Sequence, residues 1–437
     1  MSRVLMGPLS RAVVVENPDA SLDGLLGEQG IEVTRLDETP DEEALIGVLK
    51  ETKAQVLFKR SRVPVTRDMI EACPDLFAIQ LCCIGDDSVD KQACADHGVL
   101  VFNDPVSNGR SVVELVIAHL IALSRRLFET DSVCRQGVWE KNNRERYEVR
   151  GKILGVLGLG NIGRQVARAA EALGMRIMFY DSRYAASEVG QEFGWDCANS
   201  IDDLLMNSDY VSVHLSASDA RGESNQDILS RSRLMKLGLN RPENSPRIFV
   251  NLGRGFLHDP SDLLAAIEAG AIRRAAVDVY PHEPRGGESW ANPYEAEPRV
   301  AVTPHIGAAT QEAQPRIARR VAWTIGQFSS CGTVRDMVFG PRSRLGLVDH
   351  QAKNKVLLAV AHSTARGTKR AVDDAIFKAG ASNLSSVHKD FESVGVAYDL
   401  SVIDRPLSEQ EVRQLVDEAA RVSGDKTAIR SVRQLRL

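Results

Sequence analysis

The stretch KILGVLGLGNIGRQVARAAEALGMRIMFYD, residues 152–181, decides the fold of this chain. An apolar run, ILGVL, leads into Gly158, Gly160 and Gly163, which form G-x-G-x-x-G. A helical pattern, NIGRQVARAAEALG, follows, and the run RIMFYD ends on Asp181. The glycine spacing alone is weak, because glycine is common enough to produce it by chance. Its place between a strand and a helix gives each glycine a task. Gly158 permits a tight turn, Gly160 lets the backbone approach a pyrophosphate, and Gly163 lets the helix pack close to the sheet. The N–H groups near Asn161 and Ile162 would face the anion from the positive end of the helix dipole. Asp181 stands where a carboxylate accepts from both hydroxyls of an adenosine ribose and repels a 2′-phosphate. NAD is therefore favoured over NADP, although Arg183 lies nearby. The alternative is a glycine-rich β–α turn that binds nothing.

Working outward, four more apolar strands follow, each with a polar residue near its end. YVSVHL carries His214, RIFVNLGRG carries Arg254, AAVDVYPHEP carries Asp278 with Glu283 beyond it, and VAVTPHIG carries His305. A doubly wound sheet places ligands at the carboxyl ends of its strands, so these side chains are expected to converge where the dinucleotide lies. Taken singly, each has a plainer reading: a solvated arginine, a capping glutamate, a core histidine. Together they suit the reduction of a 2-oxo acid, which needs a hydride and a proton delivered to the carbonyl oxygen. Histidine titrates near neutrality and suits the proton step. Glu283 beside His305 would favour the imidazolium. Arg254 would fork onto a carboxylate and polarise the neighbouring carbonyl. Asp278 would hold the nicotinamide.

The rest of the chain continues the same alternation. At 437 residues it has room for about three domains. Before residue 103 the sequence predicts strands at RAVVVE, IEVTRL, AQVLFKR, LFAIQLCC and GVLVFN, with helices near Leu22 and Glu42 and at RDMIEACP and DKQACADHG. A turn-rich break, NDPVSNGR, precedes a long helix, SVVELVIAHLIALSRRLFE, which is apolar over most of its circumference and needs a covering surface. After a second break at 332–344, the order β (KVLLAVAH), α, β (NLSSVHKDF), β (VGVAYDLSVI), α, β (IRSVRQL) is the βαββαβ arrangement. The fold class is thus α/β with parallel sheets. A net charge of −5 gives no pull toward nucleic acid or an anionic membrane. The longest apolar stretch falls short of the ~20 residues of a membrane span. Seven scattered cysteines with no C-x-x-C pair suit a reducing compartment, so a cytoplasmic protein is expected.

With these residues in view, the sequence resembles the D-isomer-specific 2-hydroxyacid dehydrogenases. The resemblance covers nearly the whole chain and rests on KRSRVPVT, CCIGDDSVD, SNGRSVVELVI, GVWEK, LGLGNIGRQVA, NLGRG, AAVDVYPHEP and TPHIGAATQEAQ. It implies a catalytic set of Arg254, Glu283 and His305. It also implies NAD contacts at Gly158, Gly160, Asn161, Ile162, Gly163, Asp181, Leu252, Gly253, Arg254, Asp278, His305, Gly307 and Ala308, and no metal. Substrate contacts would fall on Arg60, Ser61, Gly85 and Asn108. The implied architecture is a discontinuous flavodoxin-like substrate domain (1–109 and 308–340), a Rossmann NAD-binding domain (110–307) and an ACT-like regulatory domain (345–437). Closure of a cleft between the first two is part of that expectation.

Arg60 and Arg62 would suit the phosphate and carboxylate of a phosphorylated acid, with Lys141 adding charge; a solvated basic turn is the alternative. The expected reaction is oxidation of D-3-phosphoglycerate to 3-phosphohydroxypyruvate with NAD, the first step of L-serine biosynthesis. Alternatives are another D-2-hydroxy acid (2-hydroxyglutarate, glyoxylate or hydroxypyruvate) or a non-enzymatic NADH-sensing corepressor. The ACT-like unit would take an amino-acid effector. Serine-regulated relatives open its first helix with His-x-Asn-x-Pro-Gly; here His362 and Gly367 remain, while Thr364 and Arg366 replace the Asn and Pro. Asn383 is a further candidate effector contact. Relatives pair through the region of the long apolar helix, which implies a homo-oligomer, dimer or tetramer. The loop at 236–246 is longer than the family's usual connection, and the sequence assigns it no task.

Overall fold

Ile153–Leu157 opens a seven-stranded parallel sheet in the computed structural model, which describes residues 2–219, 221, 223–284, 289–340, 344–346 and 355–436. On one side of this strand lie Arg176–Tyr180 and then Asp196–Cys197. On the other lie Tyr210–Val213, Ile248–Asn251, Arg274–Val277 and Val300–Val302, in that order. The direction of winding reverses between Ile153–Leu157 and Tyr210–Val213, which makes that crevice the topological switch point. Ile153–Leu157, Tyr210–Val213, Ile248–Asn251 and Arg274–Val277 are buried at every residue, because helices cover both faces. That is why they read as continuous apolar runs instead of alternating ones.

A second parallel sheet has the order Glu32–Arg35, Arg11–Val14, Val56–Lys59, Ala78–Leu81, Leu100–Phe102, the flavodoxin-like arrangement. Its helices are Ser21–Gly27, Glu42–Thr52, Arg67–Ala72 and Lys91–Asp96. The terminal βαββαβ unit has the strand order Ile429–Arg436, Val356–Ser363, Val396–Ile403, Asn383–Phe391, antiparallel throughout. Helices Thr368–Lys378 and Glu409–Ser423 cover one face. The second of these begins with a capping box between Ser408 and Glu411.

One strand of the terminal sheet escapes the sequence reading. Arg3–Met6 pairs in parallel with Ile429–Arg436, adding a fifth strand to the terminal sheet. Its signal is masked because Arg3 occupies a buried position. The Arg3 guanidinium donates to the carbonyls of Ile70 (2.7 Å), Cys73 (2.7 Å) and His97 (2.9 Å), which satisfies acceptors left over at the ends of two helices.

The chain divides into two compact units, one Val106–Ala313 and the other running to Pro105 and resuming at Gln314. The expected divisions at 109/110 and 307/308 lie a few residues from these. The terminal unit is not a separate body: Phe328 of helix Ala313–Cys331 shares a core with Leu357, Tyr398 and Leu400. Arg433 lies over the Phe328 ring at 4.2 Å and donates to the carbonyls of Phe328 and Ser329, both at 3.1 Å.

The long helix predicted across residues 111–129 is broken in two. Gly109–Ser124 ends where the Ser124 hydroxyl bonds back to the Leu120 carbonyl (2.5 Å) and to the Tyr210 hydroxyl (2.8 Å). Arg126 then takes a left-handed φ of 54°, and Leu127–Arg135 begins on a new axis with no buried residue. Among the described residues no helix is long and apolar enough to cross a membrane. Among the described residues the cysteines form no disulfide.

Candidate active site

The glycine turn is built for an anion. Gly158 has a φ of 95°, and a Cβ on Gly163 would lie 2.1 Å from the Gly158 carbonyl oxygen, so neither position tolerates a side chain. Gly160 differs. A Cβ there would meet only the Arg183 guanidinium, at 3.8 Å, so the space above it is open to a diphosphate. Helix Asn161–Ala172 starts with no side-chain cap, so the positive end of its dipole faces the glycine turn.

Asp181 follows Arg176–Tyr180 with its side chain only 5% exposed. It accepts from the Leu159 N–H (2.8 Å) and from Arg183 through the backbone N–H (2.9 Å), Nε (2.9 Å) and Nη2 (2.7 Å). Burial pushes this carboxyl up, but the Arg183 hydrogen bonds outweigh it and hold it below the ordinary carboxylate range. These features fit NAD: the turn and helix would take the diphosphate, and Asp181 the ribose.

Three neighbouring strands bring the remaining candidates to one edge. Arg254 follows Ile248–Asn251, Asp278 follows Arg274–Val277, and His305 follows Val300–Val302. Asp278 is 1% exposed and accepts from the Thr303 hydroxyl (2.6 Å), the Ile306 N–H (2.8 Å) and the Gly307 N–H (2.9 Å). These bonds fold the turn around its oxygens. His305 sits inside that turn with a left-handed φ of 54°, costly for a residue with a Cβ and sustained by the surrounding bonds.

His305 Nδ1 lies 2.8 and 2.9 Å from the two Glu283 oxygens. A carboxylate only accepts, so Nδ1 carries a hydrogen and Nε2 is the nitrogen turned away from Glu283. Glu283 also accepts from the Tyr280 N–H at 3.4 Å. The pair is about half exposed, so its work is orientation more than stabilisation. His214 is different: its Nε2 lies 2.8 Å from the Ser212 hydroxyl, and burial pushes the ring down to about 4, which keeps it neutral.

Asn251, quoted in NLGRG but given no role by the sequence reading, holds the loop that follows it. Its Oδ1 accepts from the Gly253 N–H (3.0 Å), and its Nδ2 donates to the Arg254 carbonyl (2.9 Å) and lies 3.2 Å from His258 Nδ1. Leu252 is buried, and the Arg254 Nη1 donates to the Gly253 carbonyl at 3.0 Å. Gly307 and Ala308 continue the turn beyond His305. Asn108 precedes Gly109–Ser124, with its Oδ1 buried and given no hydrogen bond among the described residues.

In the other unit, Arg60, Ser61 and Arg62 follow Val56–Lys59, and Gly85 follows Ala78–Leu81, again at carboxyl ends. Sequence reasoning missed what organises the first of these loops. Glu16 accepts from the backbone N–H groups of Arg60 (2.6 Å), Arg62 (2.5 Å) and Val63 (3.1 Å) and takes a φ of 64° to do so. The only signal was an acidic residue just past RAVVV, where a strand ends. Lys59 braces the loop from beneath, buried and donating to Ser88 Oγ (2.6 Å) and the Arg60 carbonyl (3.0 Å); burial lowers its pKa.

A doubly wound sheet with an uncapped glycine turn and a polar carboxyl edge defines a dinucleotide-binding α/β protein. Residues 117–307 match the family described as D-isomer specific 2-hydroxyacid dehydrogenase, NAD binding domain. The chain is 31% identical to D-3-phosphoglycerate dehydrogenase 1 of Saccharomyces cerevisiae over 429 residues, which are 94% of this chain and 86% of that one. It is 35% identical to the D-3-phosphoglycerate dehydrogenase of Haemophilus influenzae over 71% of this chain and 72% of that one. Among solved structures, a glyoxylate reductase from Paecilomyes thermophila aligns with a TM-score of 0.65 at 24% identity, covering 76% of this chain and 98% of that one. The TT0316 protein from Thermus thermophilus aligns at 0.61 and 26% identity, covering 72% and 95%. The chain belongs to the D-isomer-specific 2-hydroxyacid dehydrogenases, and it is an NAD-dependent enzyme.

Proposed function

We propose that the protein oxidises D-3-phosphoglycerate to 3-phosphohydroxypyruvate with NAD, the first step of L-serine biosynthesis. The observation that carries the chemistry is the His305–Glu283 pair, set at the carboxyl edge on a turn folded around Asp278. The names of the relatives support the choice of substrate. NAD, when bound, supplies the hydride acceptor. His305 Nε2 takes the hydroxyl proton, Glu283 holds the ring through Nδ1, and Arg254 forks onto the substrate carboxylate. Arg60, Ser61, Gly85 and Asn108 are the residues proposed to contact the substrate, Arg60 at its phosphate. Arg62 and Lys141 add positive charge there.

The same reading places the enzyme in the cytoplasm as a homo-oligomer. Trp139 is 83% exposed, and Leu127, Phe128 and Val138 are about half exposed, an apolar surface that a second copy would cover. The terminal βαββαβ unit is read as an ACT-like module for an amino-acid effector.

The test follows NADH consumption with 3-phosphohydroxypyruvate, 2-oxoglutarate, glyoxylate and unphosphorylated hydroxypyruvate, each with and without L-serine. Fast turnover of the phosphorylated acid alone is the expected result. Preference for an unphosphorylated acid would overturn the substrate while leaving the proton-transfer pair in place. The serine arm reads the effector part separately.

A further inference from the structure

The helix-facing side of the terminal sheet carries a cluster that the dehydrogenase chemistry does not use, although one member, His362, also opens the turn that serine-regulated relatives use for an effector. Asp399 lies on the strand Val396–Ile403 directly opposite His388 on Asn383–Phe391. On its other side it pairs with Val360, two residues before His362 on Val356–Ser363. The two-residue period of a strand puts all three side chains on one face. Asp399 and His362 are buried, and His388 is partly exposed. His362 Nε2 lies 2.8 Å from Asp399 Oδ2, and His388 Nδ1 lies 2.8 Å from Asp399 Oδ1. One atom from each residue falls within 4.8 Å of the other two. The imidazole rings are stacked, 5.7 Å between centroids.

Counting hydrogens shows what this arrangement lacks. The second nitrogen of each ring faces a pure acceptor: His362 Nδ1 the Ser363 carbonyl at 2.7 Å, and His388 Nε2 the Asp390 carboxylate at 3.1 Å. Both nitrogens of each ring thus face acceptors, whereas a neutral imidazole has only one N–H to give. With those single hydrogens on His362 Nδ1 and His388 Nε2, the two nitrogens that face Asp399 would have only lone pairs to offer a carboxylate that also only accepts. Two extra protons would resolve this by stacking two imidazolium rings around one buried carboxylate. A single dication resolves it without a like-charged pair. Metal-bound histidines commonly donate their other N–H to a carbonyl or carboxylate, as both do here.

We propose that His362, His388 and Asp399 form a site for a divalent transition-metal ion of the zinc type. Imidazole nitrogen and carboxylate oxygen are its ordinary ligands, and three protein ligands leave coordination open beside the partly exposed His388. The local charge agrees. Lys369 Nζ stands 3.6 Å from Asp399 Oδ1 but is paired with Asp373 at 2.6 Å, and the Asp390 carboxylate lies 3.1 Å from His388 Nε2. The site is independent of the dehydrogenase centre and of its substrate.

The full-length protein, stripped with a chelator and desalted, is titrated with Co2+ and with Zn2+. The readouts are the visible cobalt spectrum, bound metal by mass spectrometry, and the melting temperature. One equivalent of metal, a four- or five-coordinate cobalt spectrum and a raised melting temperature are expected. His388→Ala removes the partly exposed ligand without emptying the core and should abolish the spectrum. Asp390→Ala removes only the outer acceptor and should weaken zinc binding roughly 10–100-fold. A protein that takes up no metal, or a cobalt spectrum unchanged in His388→Ala, would overturn the proposal. NADH-linked turnover of each variant shows that it has folded.

Discussion

Two buried aspartates at opposite edges of the seven-stranded sheet show how one residue type serves two ends. Asp209 precedes Tyr210–Val213 at the amino edge, and Asp278 follows Arg274–Val277 at the carboxyl edge; each is 1% exposed. Asp209 is met by the Arg241 guanidinium in a fork, both contacts at 3.1 Å, and by the Ile153 N–H at 2.8 Å. Asp278 is met by two backbone N–H groups and a hydroxyl, with the His305 turn folded around it. The first arrangement neutralises a charge and closes the edge. The second uses charge to shape a turn, which leaves the neighbouring imidazole facing outward. This contrast also explains the unassigned loop at 236–246. It packs against Ile201–Asn207 through the Gly238 N–H on the Leu205 carbonyl (2.9 Å) and delivers Arg241 to Asp209, at the edge away from the ligand.

The contrast breaks or sharpens under substitution, beginning with the largest effect. His305→Ala should lower kcat by roughly 10²–10⁴ with NAD affinity largely kept, because it removes only the proton carrier. Steady-state kinetics beside NAD titration checks this, and unchanged turnover would take His305 out of the proton step. Asp181→Ala should weaken NAD by about 1.5–3 kcal/mol, the usual worth of hydrogen bonds to a charged group. It should also relax the selection against NADP, since Arg183 would be released toward a 2′-phosphate. An unaltered NAD/NADP ratio would mean that another residue reads the ribose.

Arg241→Ala tests the closed edge. It strips the fork from a buried carboxylate and should cost about 1–3 kcal/mol of stability, read from denaturant unfolding, with turnover unchanged. Loss of activity without loss of stability would erase the distinction between the two edges. Glu16→Ala should raise KM for the phosphorylated substrate about tenfold, roughly 1.4 kcal/mol, and change kcat little. It frees the backbone of the Arg60 loop without touching the reacting atoms, so a change confined to kcat would count against it.

Much of this was legible in the sequence, for reasons particular residues make plain. Gly158, Gly160, Gly163 and Asp181 lie within one β–α–β unit, so their spacing is fixed by local geometry and can be read as a string. Arg254, Asp278 and His305 were found because each ends an apolar strand of one sheet. Glu16 was not found, because its partners are backbone groups more than forty positions away and leave no mark on residue type. Arg3–Met6 was missed for a related reason: a buried arginine, satisfied by carbonyls of distant helices, breaks the apolar pattern by which a strand is recognised. The division of the long apolar helix depended on Ser124 meeting Tyr210, another contact between distant segments.

That first strand has a consequence for how the chain is made. Ser2 bonds to Ile429 across 427 positions, and Arg3–Met6 can find its partner only when Ile429–Arg436 has left the ribosome. At synthesis rates of roughly 5–20 residues per second, the interval runs to tens of seconds. Throughout that time the segment Arg3–Met6 stays an unpaired β edge, open to the same segment on a neighbouring nascent chain. The last contact of this sheet to form joins two segments made more than four hundred positions apart.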